Sequence, residues 1–324
     1  VKDSVDTAGI TTTGGTPSLS HNVPARNAEV LQLLLDEGAY VFGKTNLAEM
    51  SSDVFGANDY YGFALNPYDT SRIPGGSSTG TAVAVSARIS PMGIGEDTVG
   101  SIRLPSALTG LVGFRPTPGR YPNSGIVPLA PHRDTPGPMV RSMSDAVLFD
   151  SVVTGSSSAL RPVDLAGLRL GMLPSFWATV DPEVDAVIQE TLALLEDHGV
   201  VLVWQDIPGL LDLIGENYVT DSFCAHFDAI SAYLSEHELG LDYFALVDNV
   251  VTPSVKTFLS LGIPGVIPAQ ECDRALTETR PTVQAMYAEY FVEHEVAAII
   301  APTAVIAAIP IGAQTVFLDG QERD

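Results

Sequence analysis

The chain has 324 residues, 45% of them apolar, enough to bury a large core as one big domain or two modest ones. Its formal net charge is −23, from 16 Lys and Arg against 39 Asp and Glu, and no basic stripe is clustered anywhere. That balance argues against nucleic acid as a direct ligand. Cys224 and Cys272 lie outside any close-spaced pair. They suggest neither a disulfide framework nor a zinc site, and they read as buried thiols in a reducing compartment. No apolar run is long enough to span a bilayer, and no basic segment leads into an apolar one at the N-terminus. The expectation is a cytoplasmic protein with no membrane partner. The chain opens on Val1 inside what reads as a motif, as a partial sequence would.

From Ala28 to Glu37 the residues Val30, Leu31, Leu33, Leu34 and Leu35 predict a helix with a broad buried face, capped by Gly38. Tyr40–Phe42 then predicts a short buried strand. Residues 62–140 are dense in Gly, Pro, Ser and Thr but interleaved with apolar residues, including a small-residue helix over Thr79–Ser90. A linker is polar and featureless, so this segment predicts backbone packed tightly around a site. Gly155–Asp164, with three consecutive serines, predicts a surface connection. Asp181 and Pro182 open a helix that ends near His198 and Gly199, and a strand follows over Val200–Trp204. A long helical stretch to about Glu295 precedes a strand over Ala297–Ala301. Helix, tight turn and apolar strand in alternation predict an α/β fold with a mixed β-sheet core covered by helices on both faces.

One motif is misleading. Gly38–Thr45, GAYVFGKT, matches the P-loop pattern. A P-loop needs a flexible loop after a strand and a helix starting at its Lys. Here the intervening residues are apolar, strand-like and follow a helix, so the segment reads as a helix cap leading into a strand.

The chemistry concentrates between Arg72 and Thr117: RIPGGSSTGTAVAVSARISPMGIGEDTVGSIRLPSALTGLVGFRPT. A GGSS turn enters a small-residue helix, and a GEDTVGSIR loop follows. No His lies in this core and no GxSxG elbow is present, so a serine nucleophile here needs another base. A lysine serves if burial favours its neutral form. These segments, with the opening VKDSVDTAGITTTGGTP, resemble the amidase signature family, strongly over residues 1–150 and weakly beyond. The resemblance implies one domain over 1–324, with the signature core in 1–155 and the remainder in 156–324, and with N- and C-terminal parts of the family domain missing.

Carried over residue by residue, the resemblance makes Ser101 the nucleophile, Ser77 the proton shuttle that usually follows a cis peptide bond, and Lys2 the base. Ser77 would relay the proton from Ser101 to Lys2 and return it to the departing nitrogen, because an amide anion is too basic to leave. Backbone N–H groups of Thr98, Val99, Gly100 and Ser101 would form the oxyanion hole, where losing one donor costs roughly 3 kcal/mol. Ser78 would support Ser101 by a hydrogen bond, and Asp97 with Arg103 would hold the loop as a buried charge pair. No residue cluster has metal-ligand spacing, and the chemistry needs no cofactor.

The sequence departs from the family pattern at Thr79 and Val99, which replace glycines, and at Glu96, which replaces Thr or Ser. Val99 must either use ordinary backbone angles or accept strain. The related subunit that supplies ammonia for tRNA amidation has Gln where this chain has Leu104, and differs at RDTPGP. GRYPNSGIVPL and GGTP are more similar to hydrolases of arylacetamides such as indoleacetamide or mandelamide. Phe55, Tyr60 and Tyr61 are candidates for the pocket wall, with packing as the plainer role. His132, Arg133 and Asp134 form a polar patch in a proline-rich loop. The expected partner is a small-molecule amide, cleaved to an acid and ammonia or an amine. Two alternatives stay open: an amidotransferase A-type subunit supplying ammonia, and an inactive relative that only binds. A homodimer is compatible with either.

Overall fold

The computed structural model describes residues 1–156, 161–313, 315–318 and 321–323. The surface connection expected over Gly155–Asp164 falls partly outside them. The chain forms two compact units, Val1–Ala159 with Ser222–Ile267, and Leu160–Asp221 with Pro268–Asp324.

The first unit contains α1 (Glu29–Asp36), α2 (Thr79–Ser86), β1 (Met92–Asp97), α3 (Arg103–Leu108), β2 (Val112–Gly113), β3 (Thr135–Val140) and α4 (Met143–Thr154). The strands form one antiparallel sheet in the order β1-β3-β2. α1 lies where its apolar spacing predicts it, burying Val30, Leu31 and Leu34, and Gly38 follows with φ +89°. These residues join Val5, Ile94, Tyr121, Ile126 and Phe149 in one apolar cluster. α4 starts at Ser142, whose hydroxyl accepts the Asp145 N–H at 3.2 Å, and stops at Gly155 in the left-handed conformation.

β3 has the sequence TPGPMV and is buried throughout, although Pro is rare inside sheets. The pairing explains the exception. β2 pairs only with Met139 and Val140, and beyond it the Phe114 N–H donates to the Pro138 carbonyl at 3.1 Å, a bond that asks no N–H of the proline. The N-terminal segment is strapped to the same sheet: the Lys2 N–H donates to the Ile94 carbonyl at 2.9 Å, and Asp3 N–H to Thr45 at 3.1 Å. The unit is completed by α6 (Leu210–Phe223) at its last residues, α7 (His226–Glu236), α8 (Tyr243–Asp248) and α9 (Pro253–Ser260). α7 is tied to the N-terminal segment through Asp6, which accepts from the Tyr233 hydroxyl at 2.8 Å and pairs with His237 Nε2 at 2.8 Å.

The second unit carries a parallel sheet, β4 (Arg169–Met172) between β5 (Val201–Trp204) and β6 (Ala298–Ile299). α5 (Pro182–Asp197) is the crossover between β4 and β5, as parallel neighbours require. Its start is set by Asp181, whose carboxylate accepts the Glu183 N–H at 2.8 Å, followed by Pro at the first helical position. α10 (Ala269–Arg274), α11 (Arg280–Glu293) and the hairpin β7 (Val316–Leu318)–β8 (Gln321–Arg323) complete it. Helices with an antiparallel sheet in one unit and a parallel sheet in the other make the α/β class expected from the sequence.

Two expectations are corrected. Tyr40–Phe42 is not a strand, and Tyr40 and Phe42 are 80% and 70% exposed. No described strand pairs with it, so apolar character alone does not bury it. Cys224 and Cys272 are half-buried and neither is a free thiol.

Candidate active site

Lys2 leads the site because its backbone is pinned to β1 and its side chain is fully buried. Its Nζ lies 2.7 Å from Ser77 Oγ, 3.2 Å from the Glu96 carbonyl and 2.8 Å from Glu96 Oε2. Lys2 and Ser77, far apart in the chain, are therefore in hydrogen-bond contact. The Gly76–Ser77 peptide is cis. Ser77 is fully buried, and Ser101 is 3% exposed. The two serine segments are joined by the Ser78 N–H, which donates to the Ser101 carbonyl at 3.1 Å.

Packing around Gly76 leaves no room for a side chain. A Cβ there would sit 2.7 Å from the Asp53 carbonyl and 2.8 Å from the Gly56 nitrogen, while the Gly76 N–H donates to Val54 at 2.7 Å. Gly76→Ala is therefore expected to destabilise the fold by about 1–3 kcal/mol, because backbone must move to admit the methyl. Urea unfolding checks it; an unchanged midpoint would mean that the 53–56 loop yields freely.

Ser78 behaves differently from expectation. It stands at the N-cap of α2, yet its hydroxyl neither caps the helix nor reaches Ser101. It donates to the Glu96 carbonyl at 3.2 Å and accepts the Glu96 N–H at 3.3 Å, stitching the helix start to β1. Its support of Ser101 comes from backbone.

The loop after β1 is organised by Asp97. Its fully buried carboxylate accepts the N–H groups of Gly100 at 2.7 Å, Ile102 at 3.1 Å and Arg103 at 3.3 Å. It also receives Arg103 Nε and Nη2, both at 3.1 Å, and Arg115 Nε at 3.0 Å. Burial alone would raise the Asp97 pKa, but the hydrogen bonds and charges of Arg103 and Arg115 hold it below the usual value. The Asp97–Arg103 pair is buried on one side only, since Arg103 is 45% exposed. Nothing in GFRPT announces that Arg115 reaches Asp97.

Of the four backbone donors expected in the oxyanion loop, Gly100 is already committed to Asp97. Among the described residues the N–H groups of Val99 and Ser101, and the Ser101 hydroxyl, have no hydrogen-bond partner. Gly100 has φ +144°, whereas Val99 is not among the residues with positive φ. The β-branched residue thus keeps an ordinary backbone, and the next residue takes the unusual one.

Next to Glu96 stands a group that the sequence presents only as part of a polar loop patch. Asp134 is 3% exposed and accepts the N–H groups of Leu129 and Ala130 at 2.8 and 2.9 Å. Its Oδ1 lies 2.6 Å from Thr98 Oγ1, which is 2.9 Å from Glu96 Oε1. Burial first, and then the Glu96 charge, push the Asp134 carboxyl up to about 6. Its polar neighbours were visible in the sequence, but its aim at Thr98 depends on the turn at Leu129–Asp134.

Lys44, the lysine of the P-loop-like stretch, donates to the Val5 carbonyl at 2.8 Å and Thr12 Oγ1 at 2.9 Å, and pairs with Asp3 at 2.9 Å. It is a tie to the N-terminal segment. Among the described residues no His, Cys, Asp and Glu cluster has the form of a metal site, and no helix is long and apolar enough to cross a membrane. Phe55 and Tyr60 are half-exposed, and Tyr61 borders a recess of about 250 Å³ with Asp3, Thr13 and Lys44.

The Amidase family model matches residues 1–322. The chain belongs to the Amidase family. A mandelamide hydrolase of Pseudomonas putida is 38% identical over 94% of this chain and 62% of its own length. An indoleacetamide hydrolase of Allorhizobium ampelinum is 36% identical over all of this chain and 70% of its own. The chain thus spans roughly two thirds of these relatives. A solved amidase superposes with a TM-score of 0.85 at 27% identity, covering 99% of this chain and 70% of that one.

Proposed function

We propose that the protein hydrolyses a carboxylic amide through an acyl-enzyme on Ser101, with Ser77 as proton shuttle and Lys2 as base. The observation that carries this reading is the fully buried Lys2 Nζ, 2.7 Å from Ser77 Oγ. A neutral amine has two hydrogens and one lone pair, and Nζ has three polar neighbours. As an ammonium, Lys2 donates to Ser77 Oγ, the Glu96 carbonyl and Glu96 Oε2; once deprotonated to act as base, it keeps its two hydrogens on the Glu96 oxygens and turns its lone pair to the Ser77 hydroxyl.

Ser101 Oγ attacks the amide carbonyl while its proton passes to Ser77 Oγ and the Ser77 proton to Lys2. The carbonyl oxygen gains the charge, and the N–H groups of Val99 and Ser101 receive it. Gly100 serves indirectly, since its N–H closes the turn onto Asp97. Lys2 returns the proton through Ser77 to the nitrogen, the C–N bond breaks, and an ester on Ser101 remains. Water then attacks the ester by the same relay, giving the acid.

An aryl amide is the favoured substrate class. The two relatives named above are hydrolases of mandelamide and indoleacetamide, and Phe55 lies in the loop whose backbone contacts Gly76. Leu104 in place of Gln favours this over the ammonia-supplying subunit. One family match across 1–322 supports treating both units as a single catalytic domain. The test is ammonia release from mandelamide, indoleacetamide and glutamine, with mass spectrometry of the fluorophosphonate-treated protein. Aryl amides are expected to turn over fastest, with the adduct on Ser101. Glutamine preferred over both aryl amides would transfer the reading to the amidotransferase alternative, and an adduct on another residue would remove Ser101.

A further inference from the structure

Glu96, which the amidase signature resemblance places where Thr or Ser is expected, is 1% exposed. A carboxylate is not left at such a place without partners, because burying an unpaired charge is costly. Its Oε2 faces Lys2 Nζ at 2.8 Å, and its Oε1 faces Thr98 Oγ1 at 2.9 Å. Thr98 Oγ1 is at the same time 2.6 Å from Asp134 Oδ1. A hydroxyl has a single hydrogen and cannot donate to both carboxylates. With both acids ionised, one of these contacts would set two oxygen lone pairs against each other. One carboxyl therefore carries a proton.

The surroundings assign it. Glu96 has a cation at 2.8 Å, whereas Asp134 has only neutral donors, the N–H groups of Leu129 and Ala130 and the Thr98 hydroxyl. The proton belongs on Asp134 Oδ1, donating to Thr98, whose own hydrogen then points to Glu96. The other charges nearby are accounted for. Asp97, adjacent on β1, is neutralised by Arg103 and Arg115. α2 and β3, packed on β1, carry no charged residue, and Ser78 at the start of α2 meets the Glu96 backbone.

We propose that Glu96 is a positioning residue: its carboxylate holds Lys2 against Ser77 and balances the positive charge that Lys2 gains when Ser101 attacks, with Thr98 and protonated Asp134 fixing it from behind. This rests on the assignment of Lys2 as the base. The closest functional parallel is a buried acid that orients a catalytic base and stabilises its protonated form, here acting on an amine. Thr or Ser at this position would supply a hydroxyl but no charge.

The experiment measures the rate at which an alkyl fluorophosphonate inactivates the protein, as a function of pH. In that reaction Ser101 Oγ forms a bond to phosphorus, fluoride leaves, and the Ser101 proton passes through Ser77 to Lys2. No knowledge of the natural amide is needed. Glu96→Gln keeps shape and removes charge. Its plateau rate is expected to fall roughly tenfold, the smaller end of what groups behind an acting side chain contribute. Its acid limb is expected to move to lower pH by about one unit, because the neutral amine is no longer opposed by a carboxylate. A lower plateau with an unmoved limb would assign Glu96 a structural role and overturn the proposal, as would an unchanged profile. Glu96→Thr supplies the same comparison if the glutamine variant does not fold, and failure of both to fold would also count against it. Lys2→Met is the control for the underlying reading. If Lys2→Met is labelled at the wild-type rate, Lys2 is not the base and the assignment on which Glu96 depends falls first.

Discussion

Replacing Ser101 with Ala, or Lys2 with Met, is expected to lower kcat/KM for the preferred aryl amide by on the order of 10⁴-fold, since members of a nucleophile–base unit fail together. That loss corresponds to about 5.5 kcal/mol of transition-state stabilisation. The two variants differ in stability. Ser101→Ala removes a hydroxyl that has no hydrogen-bond partner among the described residues, so its unfolding midpoint should match wild type. Lys2→Met leaves the Glu96 carboxylate buried beside an apolar chain, and breaking a buried pair costs about 3–5 kcal/mol. The double variant Lys2→Met/Glu96→Gln removes the stranded charge and should recover most of that stability while remaining inactive. Steady-state kinetics and thermal unfolding on the same preparations separate chemistry from folding. Activity recovered in the double variant would mean that Lys2 serves only to neutralise Glu96.

The parts of this molecule that were legible in the sequence are those set by local rules. α1 follows its apolar spacing and ends at Gly38, and α5 follows Asp181 and Pro182. Ser77 and Ser101 stand in motifs dense enough to name, and Lys2 could be attached to them by family resemblance. What was not legible depends on pairing between distant segments. TPGPMV reads as a loop, because two prolines argue against a strand, and it becomes the middle of a sheet since β2 ends before reaching them. Tyr40–Phe42 reads as a buried strand by composition, yet Tyr40 and Phe42 are exposed because no described strand pairs with the segment. The resemblance directs the Ser78 hydroxyl to Ser101 and the Gly100 N–H to the oxyanion, while Glu96 and Asp97 claim them in space. Asp134 illustrates the limit most plainly, since nothing in PHRDTPGP announces that its carboxyl will meet Thr98.

Asp97→Ala should produce the largest loss of stability among substitutions that leave Lys2, Ser77 and Ser101 in place. Asp97 gathers three backbone N–H groups and two guanidinium groups onto one buried carboxylate. Alanine would leave Gly100, Ile102 and Arg103 N–H unsatisfied and bring Arg103 and Arg115 together without a counter-charge. A cost of about 3–5 kcal/mol follows from losing one side of such a network, and the melting temperature should fall by roughly 10 °C. Catalysis should fall as well, because the Gly100 turn that presents the Val99 and Ser101 N–H groups is closed by this carboxylate. Acid titration gives the same residue a second signature. The folded-state pKa of Asp97 is depressed below its ordinary value of 3.8, so its contribution is fully present above about pH 4 and is lost as pH falls through the lower, folded value. Wild type should therefore lose stability on acidification below pH 4 more steeply than Asp97→Asn, which has no charge to lose. Parallel acid-unfolding curves for the two proteins would show that Arg103 and Arg115 do not hold Asp97 in its ionised form, and the loop would then owe its shape to the backbone hydrogen bonds alone.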